Sequence, residues 1–145
     1  MFDPLGLVAP FLLQGKAILQ EMCREGKDWD EVPDVLRSRW ERRRGEVCML
    51  AKLKIPHCYK PDGFKEIKSV TLHHFSDTRM EGYGQCSYLR LIDTNSNVHS
   101  SLVMAKSRVA PLKPVTIPSL ELTAAVVSVM SSTFLRKELE YEHIS

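Results

Sequence analysis

Two carboxylates occupy positions where an apolar setting makes a charge costly. Asp77 closes the run Leu72-His73-His74-Phe75-Ser76, and Glu121 sits among Leu120, Leu122, Ala124 and Ala125 at the start of the most hydrophobic stretch in the chain. Carboxylates are rarely buried unless paired, hydrogen-bonded or metal-bound. If a helix crosses a sheet so that its first turn meets the end of the first strand, the two acids converge. Carboxylates on rigid elements suit Mg²⁺, which takes oxygen ligands and keeps waters for substrate phosphates. The plainer reading gives Glu121 to the dipole of its helix and Asp77 to a turn.

Other chemistry is thinner. An aspartic peptidase needs Asp-Thr/Ser-Gly, so that the backbone turns tightly beneath two carboxylates sharing a proton. Asp77-Thr78-Arg79 and Asp93-Thr94-Asn95 both lack the Gly, and Asp93 suits a polar hairpin loop. Cys48 and His57-Cys58 lack the close ligand pairs of a structural zinc site. His73 and His74 fall on opposite faces of a strand and cannot share an ion. Arg37, Arg39, Arg42, Arg43 and Arg44, with Trp40 among them, could track a phosphate backbone, as could the smaller group Lys106, Arg108 and Lys113. The alternative is a solvated helix face with Trp40 in the core.

The elements that must carry these residues follow from the periods. Phe11, Leu12, Ile18, Leu19, Met22 and Cys23 recur at helical spacing between Pro10 and Gly26, and Leu36, Trp40, Val47 and Ala51 predict a second helix with a possible break at Gly45. Pro56, Pro61 and Gly63 interrupt any period and mark a boundary. Strands are predicted at 69–77, 84–92 and 98–107, a meander whose second turn is Asp93-Thr94-Asn95-Ser96-Asn97. Ser119 then caps a helix that is apolar nearly all round and is expected to be buried on most sides. Glu138, Glu140 and Glu142 lie at its exposed end, with His143 in the tail.

With 145 residues, 43% hydrophobic and 26% charged, the chain is an ordinary globular protein with a formal net charge of +2, so any phosphate binding is local. The apolar stretch Leu5 to Leu13 falls short of the ~20 residues that cross a bilayer, and no basic residue precedes it as in a secretory signal. The expectation is an intracellular protein with reduced Cys23, Cys48, Cys58 and Cys86 and no membrane partner.

The string 73–77, then Gly82-Tyr83-Gly84-Gln85-Cys86-Ser87-Tyr88-Leu89-Arg90, then 101–111, then Ile117-Pro118-Ser119-Leu120-Glu121-Leu122, resembles the polyprotein of BEL/Pao-type LTR retrotransposons. The opening residues 2–10 and Trp29-Asp30 share the resemblance. The segment it resembles is known as the Pao retrotransposon peptidase family, and in element order that segment lies between reverse transcriptase and RNase H. The resemblance implies an α+β fold: a helical thumb or connection region over residues 1–54, a linker over 55–68, and over 69–145 a three-stranded antiparallel meander and a buried helix, half of an RNase H-like domain. It implies that Asp77 and Glu121 are catalytic metal ligands for Mg²⁺, acting on an RNA/DNA hybrid or a template-primer duplex alongside the remainder of the polyprotein. Further carboxylates would be needed, so the fragment is expected to be inactive alone. Arg79, where the family has small residues, is expected to offer Asp77 a salt bridge. A non-catalytic nucleic-acid-binding module and an aspartic peptidase are the alternatives.

Overall fold

A two-residue alternation of apolar side chains builds the centre of the molecule. The computed structural model describes residues 3, 5–55, 58–139, 141 and 144, with Trp29 described by its backbone alone. The expectations for His57, Glu140, Glu142 and His143 lie outside the described residues. Strands β1 (Ile67–Arg79), β2 (Gly82–Asp93) and β3 (Val98–Val109) form an antiparallel sheet in the order β1-β2-β3. Val70, Leu72 and His74 oppose Leu91, Leu89 and Ser87, and directly opposed residues share a face. The register slips between Ser87 and Tyr88 on the β3 side, a bulge that lets both Val103 and Met104 reach the core.

Helix α3 (Ile117–Glu138) lies on that face, and its Leu135 joins Val70, Leu72, Leu89, Leu91, Val103 and Met104 in one cluster. A chain of hydrogen bonds crosses the interface beside it. Ser87 Oγ donates to Gln85 Oε1 (3.0 Å), and Gln85 Nε2 donates to Ser131 Oγ of α3 (3.1 Å). With the Ser87 proton directed at Gln85, His74 Nδ1 is the donor to Ser87 Oγ at 2.8 Å, so a neutral ring here is the Nδ1–H tautomer. His74 Nε2 is then a bare acceptor, buried and without a partner. Burial first, then the charges of Arg136 and His73, hold the His74 pKa below its ordinary value.

Helix α3 differs from expectation in two ways. It begins at Ile117 with extended Thr116 before it and no side-chain cap, so Ser119 lies inside the helix. Nor is it buried on most sides: Leu120, Ala124, Ser131 and Leu135 face the sheet, while Leu122, Val126, Val129, Met130 and Phe134 are exposed. With 22 residues and a window of mean hydropathy 1.3, α3 rather than Leu5 to Leu13 is the described helix long and apolar enough to cross a bilayer by length and composition. One-sided burial of an all-round apolar helix leaves a flank uncovered.

The hairpin loop after β2 is organised by Asp93, which is fully buried. Its Oδ1 accepts from the Asn95 and Asn97 amides at 2.9 and 2.8 Å, and its Oδ2 from the Asn97 side chain at 2.9 Å and the Lys65 amide at 3.3 Å. Thr94 N also donates to Glu66 O, so the chain just before β1 is fastened to this loop. Burial raises the Asp93 pKa, but the hydrogen bonds from Asn97, Lys65 and Asn95 outweigh it and hold the carboxyl below the usual value.

Helix α1 (Ala9–Arg24) is fastened to the edge strand β3 by the residues before it. Asp3 accepts the Leu7 and Val8 amides, Ala105 N donates to Leu5 O at 2.7 Å, and Ser107 Oγ donates to Ala9 O at 2.9 Å. Gly6 has φ +75°, and a Cβ there would overlap the Ala105 carbonyl. After a short 3-10 turn at Trp29–Glu31, α2 (Asp34–Leu50) runs through Gly45 unbroken. It packs Leu36 against Ile18 and Met22 of α1.

Substituting Gly6→Ala is expected to destabilise the protein by about 1–3 kcal/mol in urea titrations, since both the backbone angle and the contact with Ala105 forbid a Cβ. Acid is expected to act in two windows. His74 is held neutral, so its contribution is complete above about pH 6.5 and declines as pH falls below it; Asp93 is held charged, so its contribution declines below about pH 3.8. Denaturant midpoints measured against pH should lose the upper window in His74→Gln and keep the lower one.

Candidate nucleic-acid interface and acidic site

Asp77 is neither a turn residue nor the end of its strand. The strand continues to Arg79, the turn is Met80–Glu81, and Asp77 is paired with Gly84 of β2. Counting alternately from Leu72 and His74, which point at α3, places Phe75 and Asp77 on the opposite face. There, Asp77 borders a groove of about 590 Å³ between the sheet and the first half of α1. Phe75, Cys86 and Ala105 lie along its floor, and Ala9, Pro10, Leu13 and Gln14 along its wall. Gly84 contributes no side chain beside Asp77, and Gly82 allows Leu13 to close against β2. Burial pushes the Cys86 thiol up, so it stays protonated and is no nucleophile.

Glu121 is exposed and lies in the second turn of α3, whose first turn holds no acid. The helix-dipole explanation weakens accordingly, because that effect fades beyond the first turn. Glu121 does not border the Asp77 groove. Arg79 does not bridge Asp77: no salt bridge joins the two. Among the described residues no group of three or more His, Cys, Asp or Glu side chains could hold a metal ion. The two carboxylates have the right donor chemistry for Mg²⁺ but do not by themselves make a site for it.

The arginines divide into two sets that helical period alone does not separate. Arg39 and Arg43 continue the stripe of Leu36 and Trp40 that faces α1. Arg39 pairs with Glu21 at 2.6 Å. Arg43 pairs with Glu46, donates to Phe11 O and lies 4.5 Å from the Phe11 ring centroid, with only 15% of its side chain exposed. Such arginines hold helices together rather than phosphates. Arg37, Arg42 and Arg44 are exposed, and among the described residues Arg42 and Arg44 make no salt bridge. Arg42 borders a second groove with Leu13, Gln14 and Glu81, residues that also border the first. Lys106 and Arg108 are exposed on β3; Lys106 opposes Gln85 and so belongs to the α3 side of the sheet. Trp40 is 47% exposed, with its ring against Gly15 of α1, and is not a core residue.

His73 and His74 do face opposite ways, and all four cysteines are free thiols. Sequence reasoning missed the groove, because its wall comes from α1, far from β1 in the chain. The signals were Gly82 and Gly84, whose absent side chains make room for it. Asp93 carries no sign of peptidase chemistry: both of its oxygens are engaged by loop donors.

Arg43→Ala is expected to cost about 1–2 kcal/mol in thermal or urea unfolding through lost packing on Phe11, whereas Arg42→Ala with Arg44→Ala should change stability by less than about 0.5 kcal/mol.

No curated protein and no solved structure matches the chain. The family described as Pao retrotransposon-like RNaseH-like domain matches residues 1–145. That match spans every element from α1 to α3 and agrees with the antiparallel meander and the helix that follows it, and the chain belongs to the Pao retrotransposon-like RNaseH-like domain family.

Proposed function

We propose that the chain supplies part of a hybrid-cleaving ribonuclease within a retrotransposon polyprotein that also carries reverse transcriptase, with Asp77 and Glu121 as two of its acidic ligands. The observation that carries this reading is that both residues lose their ordinary explanations: Asp77 sits inside a strand away from any turn, and Glu121 lies past the first helical turn. Neither has a hydrogen bond or ion pair among the described residues, which leaves both free to bind an ion. Mg²⁺ in a complete site would supply an activated water and stabilise the leaving oxygen. This chain's own residues bring two carboxylates on rigid elements, and a two-ion site needs more than that. Exposed Arg42, Arg44, Arg37, Lys106 and Arg108 are the basic residues available to a template-primer or hybrid backbone, while Arg39 and Arg43 serve the fold. Such a protein works inside the cell.

The peptidase alternative is disfavoured by Asp93, whose hydrogen bonds leave no oxygen to share a proton with a second carboxylate. A non-catalytic binding module stays compatible with the free arginines.

Purified 1–145 is expected not to cut a labelled RNA/DNA hybrid in Mg²⁺. Cleavage that disappears on Asp77→Asn would show that the chain holds a working site and overturn the reading of an incomplete one.

A further inference from the structure

The sheet face turned away from α3 carries an unusual set of side chains. Phe75 is 58% exposed and Tyr88 37% exposed, on adjacent strands, with ring centroids 6.1 Å apart at an interplanar angle of 78°. Large aromatics left in water on a sheet face are costly unless something covers them. Alternation places Arg90 and Arg79 on the same face, at either end of the aromatic pair. Among the described residues neither arginine makes a salt bridge. The groove of about 590 Å³ opens directly beside Phe75, where Gly84 and Cys86 leave the floor low.

We propose that this face is a stacking platform for single-stranded nucleic acid: one base enters the groove against Phe75, the next stacks on Tyr88, and the backbone follows the guanidiniums of Arg90 and Arg79. The charge pattern selects this occupant. Two guanidiniums without ion pairs among the described residues call for an anionic occupant, and a phosphodiester strand gives each a charge-assisted hydrogen bond. Bases are matched to the rings because every base has a π-face, and adjacent strands of a sheet hold two aromatics at a spacing that splayed bases can reach. A duplex does not fit, since its bases are already stacked on one another. Asp77 lies between Phe75 and Arg79 on this face and repels phosphate, so the backbone swings over Gly84 of β2 on its way from Arg90 to Arg79.

The test is fluorescence anisotropy of a labelled oligothymidylate with the full chain in EDTA, which separates this surface from any metal-dependent site. Phe75→Ala and Tyr88→Ala are each expected to weaken binding about 5- to 100-fold, and Phe75→Trp to retain it. Both side chains are exposed, so folding should survive, and circular dichroism checks that it does. An abasic strand of equal length should bind as weakly as the alanine variants. The proposal is overturned if abasic and oligothymidylate strands bind alike, if the alanine variants bind like the parent, or if an RNA/DNA hybrid shows the same dependence on Phe75. It is also overturned if sedimentation shows a dimer that Phe75→Ala dissolves and no binding to oligothymidylate, since a second copy then covers the face.

Discussion

The placement of α3 rests on a line of buried hydrogen bonds. His74 bonds to Ser87, Ser87 to Gln85, and Gln85 to Ser131, so β1, β2 and α3 are joined by three bonds. Apolar packing alone would not locate this helix. Leu122, Val126, Val129 and Phe134 are as hydrophobic as Leu120, Ala124 and Leu135, and rotation about the helix axis would exchange one stripe for the other at little cost in buried area. Rotating α3 strands Gln85 without its acceptor, and an unpaired buried amide costs about 1–3 kcal/mol. Ser131 therefore selects the face that packs, and Glu121, carried on the same rigid helix, takes its position from that choice.

The second constraint is the clip at the other end of the chain. Asp3 gathers two amides, Leu5 takes the hydrogen bond of Ala105, and Gly6 permits the approach. These contacts occupy part of the outer edge of β3 and set α1 along the sheet, which makes the groove beside Asp77. The opening residues, singled out in sequence only by resemblance, thus have a physical role: they position the wall of a cavity whose floor lies some 70 residues later in the chain. The arginines of α2 follow from the same docking. With α1 fixed, Arg39 meets Glu21 and Arg43 meets the Phe11 ring, and the charges left for a ligand are those on the far side of α2.

The strands were legible because a two-residue period survives wherever one face is covered, and the turn at Asp93 because its polar residues admit few other roles. Ser96 at φ 63° and the bonds to Asp93 bear out that turn. The partition of the arginines was not legible, since a helical period shows which residues share a stripe but not which stripe meets a neighbour bearing Glu21. The cover on α3 escaped for a related reason: a helix apolar all round carries no moment to point it. Its N-cap is expected at Ser119 but lies at Thr116, because Ile117 and Pro118 begin the helix without a side-chain cap, and Pro suits that first turn through its fixed φ. The three-residue displacement is what moves Glu121 out of reach of the helix dipole.

The outer edge of β1 bears on the acidic site proposed above. Asp77 is flanked on one side by Gly84 of β2, which offers no side chain, and α1 walls the groove from the β3 side. For the acidic site proposed above, the side left open to further carboxylates is the remaining edge of β1. That edge accepts a parallel partner: Ile144 bridges Val70 in parallel after the crossover through α3. A strand extended in the direction of that bridge runs from Val70 toward Asp77, because parallel neighbours advance together. Hydrogen bonding at Val70 and the position of Asp77 are in this way coupled along one strand, and the edge of β1 that a parallel neighbour covers is the same edge that leads to the Asp77 carboxylate.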